Sequence, residues 1–379
     1  MTPQSEAELA DLIAAARDPL SIRGGGTRAL MLPQGPALST RGLSGVTLYE
    51  PGALTLVVAA GTPLQEVRAL LAAERQRLPF DPPDLAALSG RGGLSTIGGV
   101  AASNASGPAR IQAGACRDCL IGLRFVDGRG RVVKNGGRVM KNVTGYDLVK
   151  LLAGSEGRLG VLSELSFRLQ PLPQTEVTLT LEGIPAADQA AVMARALSSP
   201  WDVSGAASDP AAGRVWLRLE GFEEQTRYRS AKLRARLAPA EITLTEGAAS
   251  AALWAGIRDL TPLAGAEVVI RHSARPSHMP GLLQLIARTA PAQVLSDLGG
   301  GWLSIGCSAA EAPALLCALQ TEGARAGGHA RLLKAPPAVA TRLPGAPPTD
   351  PVVARLNAAI AAEFDPRGLF APARLSAEA

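Results

Sequence analysis

Ser95-Thr96-Ile97-Gly98-Gly99-Val100-Ala101-Ala102-Ser103-Asn104-Ala105-Ser106-Gly107 is almost free of large side chains. Two hydroxyls open it, and small residues lie on every side of the short helix it predicts over 97–105. Tight packing against one neighbour needs small residues on one face only. Small residues all round let a ligand lie against the helix as well. Two more glycine-dense stretches flank it at a distance: Arg23-Gly24-Gly25-Gly26-Thr27 and Gly154-Ser155-Glu156-Gly157-Arg158-Leu159-Gly160-Val161. Glycine allows backbone turns with positive φ and close approach of main chain to another group. Three such loops between apolar, strand-like segments point to one long ligand held largely by backbone N–H groups. A dinucleotide has the length and charge for that.

The common dinucleotide and nucleotide signatures are missing. A Rossmann fingerprint needs G-x-G-x-x-G opening a long helix, with an acidic residue about twenty positions on. After Thr27 the chain is instead rich in Pro and Gly as far as Gly42. No G-x-x-x-x-G-K-[S/T] occurs. Successive N–H groups in the first loop can still form an anion-binding nest, with Thr27 adding a hydroxyl.

Around the loops the punctuation predicts short elements. Residues 1–18 read as an amphipathic helix with capping-box spacing between Ser5 and Glu8. Val46–Tyr49 and Leu54–Ala60 read as paired strands around Pro51-Gly52. Thr62 is the expected N-cap of a helix over Pro63–Glu74, with Pro at its first position. Leu78–Arg91 has no period and reads as loop. Leu120–Val126 and Val132–Lys134 flank a turn at Asp127-Gly128. Tyr146–Leu152 reads as a helical turn or two, and Val161–Leu169 as a strand. After Pro171-Leu172-Pro173 the rhythm changes to alternating strands and helices. These are strands over 177–181, 214–219, 242–245, 267–271, 293–297 and 302–307, with helices over 186–197, 223–237, 248–260, 279–290 and 311–322. That pattern predicts an α+β sandwich with ferredoxin-like repeats. A Pro-rich connector, 336–351, leads to a last helix over 352–364.

Bulk properties narrow the function. At 379 residues two domains are expected. The formal charge of +5 comes from scattered arginines rather than a basic block, which argues against nucleic acid and suits an anionic ligand. No basic-plus-apolar leader and no apolar run of membrane-spanning length occurs, so a cytoplasmic protein is expected, reaching a membrane only through partners. Cys116-Arg117-Asp118-Cys119 has C-x-x-C spacing. Without a second pair or a nearby histidine it reads as two small residues before a buried strand. No metal-ligand spacing and no nucleophile motif is present. Oxidation of a hydroxy acid needs a base and a cation for the carboxylate. Arg271-His272 is the one adjacent Arg/His pair on a strand end, with His278 close by, and a structural role for His272 stands beside the catalytic one.

The three loops, in this order and spacing, resemble the PCMH-type FAD-binding domain of the vanillyl-alcohol oxidase family. Val139-Met140-Lys141-Asn142-Val143-Thr144-Gly145-Tyr146-Asp147-Leu148, followed by Leu151-Leu152-Ala153-Gly154-Ser155, is similar to the FAD-binding subunits of bacterial glycolate oxidases, as is Arg117-Asp118 before Gly122. The likeness is strong over residues 20–173, faint to 351, and returns at Phe364-Asp365-Pro366-Arg367-Gly368-Leu369-Phe370-Ala371-Pro372-Ala373-Arg374. It implies a PCMH-type FAD-binding domain over 1–173, an α+β (ferredoxin-like) FAD-linked oxidase C-terminal or cap domain over 174–350, and a helix and tail over 351–379 that return to the first domain. It further implies that Arg23, Gly24, Gly25, Gly26 and Thr27 hold the pyrophosphate. Thr96, Gly98, Gly99, Ser103 and Gly107 would line the pyrophosphate and flavin edge, and Gly157, Gly160 and Val161 would sit by the adenosine. The first loop lacks the histidine that often tethers flavin in this family, so non-covalent FAD is implied. Lys141, Tyr146 and Asp147 are expected either to position the third loop or to form a polar helix start capped by Asn142 or Thr144. Ala371 stands where the family commonly has an asparagine facing the flavin, and Ala373 where it has a glycine. The implied activity is oxidation of glycolate or another 2-hydroxy acid, beside a second flavin subunit and an iron–sulfur subunit. A self-sufficient flavin oxidoreductase and a scaffold subunit without flavin are the two alternatives.

Overall fold

The computed structural model describes residues 1–28, 35–90, 92–137, 145–343 and 350–370. The chain forms two compact units. One comprises Met1–Gly107, Gly114–Leu172 and Thr349–Ala379, the other Pro108–Ala113 and Pro173–Pro348.

In the first unit, helix Glu6–Ala15 follows Ser5, whose hydroxyl accepts from Glu8 N at 3.2 Å. The Glu8 carboxylate accepts from Gln4 N at 2.8 Å, so the reciprocal half of the box reaches one residue further back than the usual pattern. Strands β1 (Ser21–Arg23) and β2 (Ala37–Ser39) pair in parallel. β3 (Val46–Glu50), β4 (Thr55–Ala59), β6 (Leu120–Val126), β7 (Val132–Gly136) and β8 (Val161–Arg168) form an antiparallel sheet in the order β3-β4-β8-β6-β7. The short β5 (Gln76–Arg77) pairs with β9 (Gln170–Pro171). With few aromatics, the core is mostly Leu, Val and Ala around the fully buried Phe80, Phe125 and Phe167, and Phe80 and Phe167 stack at 5.9 Å. Each buried aliphatic or aromatic side chain contributes about 2 kcal/mol.

Two local expectations change. Thr62 does not cap a helix. Its hydroxyl accepts from Gly45 N at 2.9 Å and donates to Ala59 O at 2.8 Å, and Pro63 takes the cap position of helix Leu64–Ala73. The stretch expected as loop over 78–91 contains a helical turn, Ala86–Ser89. Cys116–Cys119 forms a helical turn just before β6, with both thiols buried and burial pushing both pKa values up.

The last described residues pack into this unit. Asp365 accepts from Leu369 N at 3.0 Å and Phe370 N at 2.6 Å, and Leu369 and Phe370 join the core with Leu9 and Ile13. The Arg367 guanidinium donates to the carbonyls of Ile13 (2.8 Å), Ala14 (3.0 Å) and Ala16 (3.2 Å) at the end of the first helix, and to Gly128 O. A cation there complements the negative end of the helix dipole.

The second unit holds one eight-stranded sheet made of β10 (Thr175–Leu181), β11 (Val203–Asp209), β12 (Arg214–Gly221), β13 (Ile242–Glu246), β14 (Val268–Ser273), β15 (Gln293–Asp297), β16 (Trp302–Cys307) and β17 (His329–Lys334). The order is β13-β10-β12-β11-β15-β16-β14-β17, antiparallel throughout. Each half is a β-α-β-β-α-β repeat with the ferredoxin-like order, and the second half mirrors the first across a narrow seam at Ser208↔Ser296. The sequence reading missed β11 and β17. β11 reads Val-Ser-Gly-Ala-Ala-Ser-Asp, small residues with no alternation. A Cβ on its Gly205 would meet the Trp254 ring at 2.8 Å. β17 follows Gly327-Gly328, where the reading ended the last repeat early. Residues 108–113 belong with this unit, and nothing in the sequence marks that excursion.

Replacing Arg367 by Ala removes four carbonyl partners at once. The expected loss is about 2 kcal/mol of unfolding free energy in urea, and an unchanged denaturation midpoint would count against the role of this arginine.

Candidate flavin cradle

The three glycine loops meet in the first unit, and contact between backbones brings them together. A Cβ on Gly25 would overlap the carbonyl of Leu94, one on Gly93 would overlap the carbonyl of Gly25, and one on Gly24 would strike the Thr96 hydroxyl. The first loop therefore lies flat against 93–96 with no room for side chains. Thr27 and Ser95 share a hydroxyl–hydroxyl hydrogen bond of 3.0 Å. Ser95 in turn donates to Asp84 at 2.8 Å. Arg28 donates to Ser95 Oγ and to Pro83 O, so the Pro-rich segment before the second loop is pinned to the first.

The second loop follows. Thr96 caps helix Ile97–Ala102 and accepts from Gly99 N at 3.3 Å. Gly98 is pressed on Ala60, whose carbonyl a Cβ would approach to 2.6 Å. Gly99 faces the side of Thr96 and Arg28, where a Cβ would find looser surroundings. Ser103 turns its hydroxyl back onto Gly99 O at 2.7 Å, and Gly107 N donates to Phe80 O at 2.9 Å. The third loop is pinned to the end of the same helix, Gly154 N to Ala101 O at 3.1 Å and Glu156 N to Ala102 O at 2.8 Å. Gly157, with φ +81°, would bring a Cβ within 4.0 Å of Ile22 on β1, which closes the circuit back to the first loop. Gly160 lies over the Phe125 ring. Val161 begins β8 with its side chain in the core, so only its main chain is free to face a ligand. The Arg23 side chain donates to Ser21 Oγ at 3.1 Å.

The loops meet with donors to spare. Among the described residues, the N–H groups of Gly24, Gly25, Gly26 and Thr27 donate to no protein acceptor. Four consecutive main-chain donors around a positive φ at Gly26 (+77°) form a nest suited to phosphate oxygens. Such charge-assisted bonds contribute about 1.5–3 kcal/mol each. The cradle fits the pyrophosphate of FAD.

Burial pushes the Asp84 pKa up, but hydrogen bonds from Ser95, Ala86 N and Gln65 and the charge of Arg68 outweigh it, leaving the carboxyl below its ordinary value. Asp84 went unnoticed in the sequence, where nothing distinguishes it from a loop aspartate. Asp147 caps helix Leu148–Leu152 by accepting from Lys150 N at 3.1 Å, while the expected caps Asn142 and Thr144 lie outside the described residues. Tyr146 is exposed. Lys141, Ala371 and Ala373 also lie outside the described residues.

His272 sits in the second unit, 1% exposed, on the side of β14 that faces Leu319 and Glu322 of helix Ala312–Ala326. Burial first, then the charge of His329, lowers its pKa to about 4. Arg271 occupies the opposite face, so the adjacent pair does not act on one ligand. Among the described residues no cluster of three or more His, Cys, Asp or Glu could hold a metal ion, and no helix is long and apolar enough to cross a membrane.

The cradle and the paired α+β sheet define a flavoprotein with a PCMH-type FAD-binding domain. Residues 1–136 match the family model described as "FAD binding domain". The solved structure of an alkyldihydroxyacetonephosphate synthase shares the fold, with a TM-score of 0.72 at 14% identity over 99% of this chain and 76% of that one. The glycolate oxidase subunit GlcE of Escherichia coli (strain K12) is 31% identical over 96% of this chain and 94% of its own length. The chain belongs to that subunit's family. Glycolate oxidase subunit GlcD of Bacillus subtilis (strain 168) is 41% identical over 29% of this chain and 23% of its own length.

Gly25→Ala is expected to lower FAD occupancy at least about tenfold, since the loop must lift off Leu94 and each 1.4 kcal/mol is a factor of ten. Gly52→Ala, where a Cβ meets nothing, serves as the control. The ratio of flavin to protein absorbance reads both, and equal ratios would refute the nest. Asp84 adds a pH dependence. Its lowered pKa stabilises the fold above the ordinary value of 3.8, and that contribution disappears as pH falls through the lowered one. The Tm gap between wild type and Asp84→Asn should therefore close in acid.

Proposed function

We propose that this chain is the FAD-bearing subunit of a complex that oxidises glycolate, or a close 2-hydroxy acid, to the 2-oxo acid. The observation that carries this reading is the nest of four N–H groups at Gly24–Thr27 that have no protein acceptor among the described residues, enclosed by two further glycine loops. Family membership supplies the rest: the relatives are named as glycolate oxidase subunits. Converting glycolate to glyoxylate removes two electrons and two protons, and bound FAD supplies the two-electron acceptor.

The residues divide the work. Gly24, Gly25, Gly26 and Thr27 hold the pyrophosphate, with Arg23 at the mouth of the loop. Thr96, Gly98, Gly99, Ser103 and Gly107 form the small-residue floor beneath it. Gly157, Gly160 and the main chain of Val161 lie beside the adenosine. Binding is non-covalent: the first loop offers no histidine, and the cysteines near the second loop, Cys116 and Cys119, are buried with raised thiol pKa values. The partners are a second flavin subunit and an iron–sulfur subunit that takes the electrons onward. The protein works in the cytoplasm and meets a membrane only through them.

The purified chain should be yellow, and acid precipitation should release its flavin into the supernatant. A colourless chain that cannot be reconstituted with FAD refutes the reading, and flavin retained in the pellet refutes non-covalent binding. Glycolate-dependent reduction of an artificial acceptor should need the co-expressed partners. Turnover by the chain alone would make it a self-sufficient enzyme instead.

A further inference from the structure

The second unit carries a charge arrangement that the flavin cradle does not use. Pairing of β15, β16, β14 and β17 sets two rows of residues on one face of the sheet. One row runs Asp297, Trp302, Ser273, His329, and the next runs Leu295, Ser304, Arg271, Arg331. Cross-strand neighbours in such rows lie about 5 Å apart and diagonal ones about 7–8 Å. Val268, Ile270 and His272 alternate to the other face.

Arg271 Cζ lies over the Trp302 ring, 4.4 Å from its centroid. Among the described residues its side chain makes only long hydrogen bonds, to Ser304 Oγ at 3.3 and 3.4 Å, and no ion pair. Arg331 stands directly opposite it on β17. Arg110, on the helical turn Arg110–Ala113 that leaves the first unit's sequence to join this one, shares the same indole at 5.2 Å. The Asp297 carboxylate acts on Arg271 in the opposite sense. Burial, and then the charge of Arg331, lowers the Arg271 pKa to about 10, with Arg110 adding to the effect and Asp297 opposing it. A partly buried guanidinium with two like charges beside it and no carboxylate on its fork is costly unless an anion joins it. The planar fork matches a carboxylate in bidentate fashion. The adjoining row adds hydrogen-bonding groups: Ser273 and His329. Burial and Arg331 lower the His329 pKa, which favours the neutral imidazole, able to accept from a hydroxyl.

We propose that this face of the second unit binds the carboxylate of a small 2-hydroxy acid through Arg271 and Arg331, over Trp302, with Arg110 as a third cation and His329 beside the α-hydroxyl. The choice of a 2-hydroxy acid rests on the function proposed above; the anion site rests on this unit alone.

The test measures binding without turnover. Oxalate and glycolate are titrated into the flavin-bearing chain by calorimetry at low ionic strength, with glycolamide as the uncharged control, and tryptophan fluorescence is followed in parallel. Saturable binding of both acids is expected, with no heat from glycolamide and a quench that is lost in Trp302→Phe. Arg271→Gln should weaken oxalate at least about tenfold, as loss of a charged hydrogen-bond pair implies, and Arg331→Gln should weaken it by a smaller factor. Absence of saturable oxalate binding to the folded wild type overturns the site, as does unchanged affinity in Arg331→Gln, which decides the matter even where Arg271→Gln fails to fold. Oxalate binding without glycolate binding overturns the hydroxy-acid assignment. A wild-type chain that lacks flavin yet binds oxalate leaves this site standing and counts against the cradle instead.

Discussion

The first loop lies so close to residues 93–96 that neither Gly25 nor Gly93 has space for a single carbon on its Cα. The rest of the first unit depends on this contact. Because the two backbones touch, Thr27 reaches Ser95, Ser95 reaches Asp84, and Arg28 reaches the carbonyl of Pro83. With the first loop held flat, its four N–H groups find no protein acceptor among the described residues. Leaving donors unpartnered is costly in a folded chain unless water or a ligand takes them. The fold maintains this tension by fixing the neighbours, as a preorganised anion site requires.

The second unit solves a different problem with similar means. Two ferredoxin-like halves meet at a narrow seam, and each places polar groups on a face of the shared sheet. In the first half several of those groups pair with one another. Trp254 donates to Thr178 at 2.7 Å and stacks on Arg218, which pairs with Glu220, both nearly buried. In the second half the corresponding arginine has a tryptophan but, among the described residues, no paired carboxylate. An arginine with a carboxylate in one half and one without in the other is the chemical asymmetry of this unit.

Much of this was legible in the sequence. The glycine loops, their order and the small-residue helix at Ile97–Ala102 could be read directly, because only backbone-to-backbone contact demands such composition. Most strands and helices also followed from their period. The failures have physical causes. β11 was missed because its residues are small to fit beneath Trp254, and small residues carry no periodic signal. Thr62 was misread because a threonine before a proline looks like a cap, while its hydroxyl answers instead to Gly45 and Ala59, contacts that no local rule contains. Asp84 and Arg331 were passed over because a lone charge has no signature until a fold gives it neighbours.

The sequence by itself determined the family, the cofactor class and where the chain must run close to itself, since these are written in residue types at fixed spacing. Only the tertiary structure decided which charges stand together. Arg110, Arg271 and Arg331 are far apart along the chain and come onto one face through strand register and a six-residue excursion. It also separated Arg271 from His272, adjacent in sequence but on opposite faces, because side chains alternate along a strand. Spacing along a chain encodes local geometry; the gathering of charge depends on long-range pairing, which one sequence does not spell out.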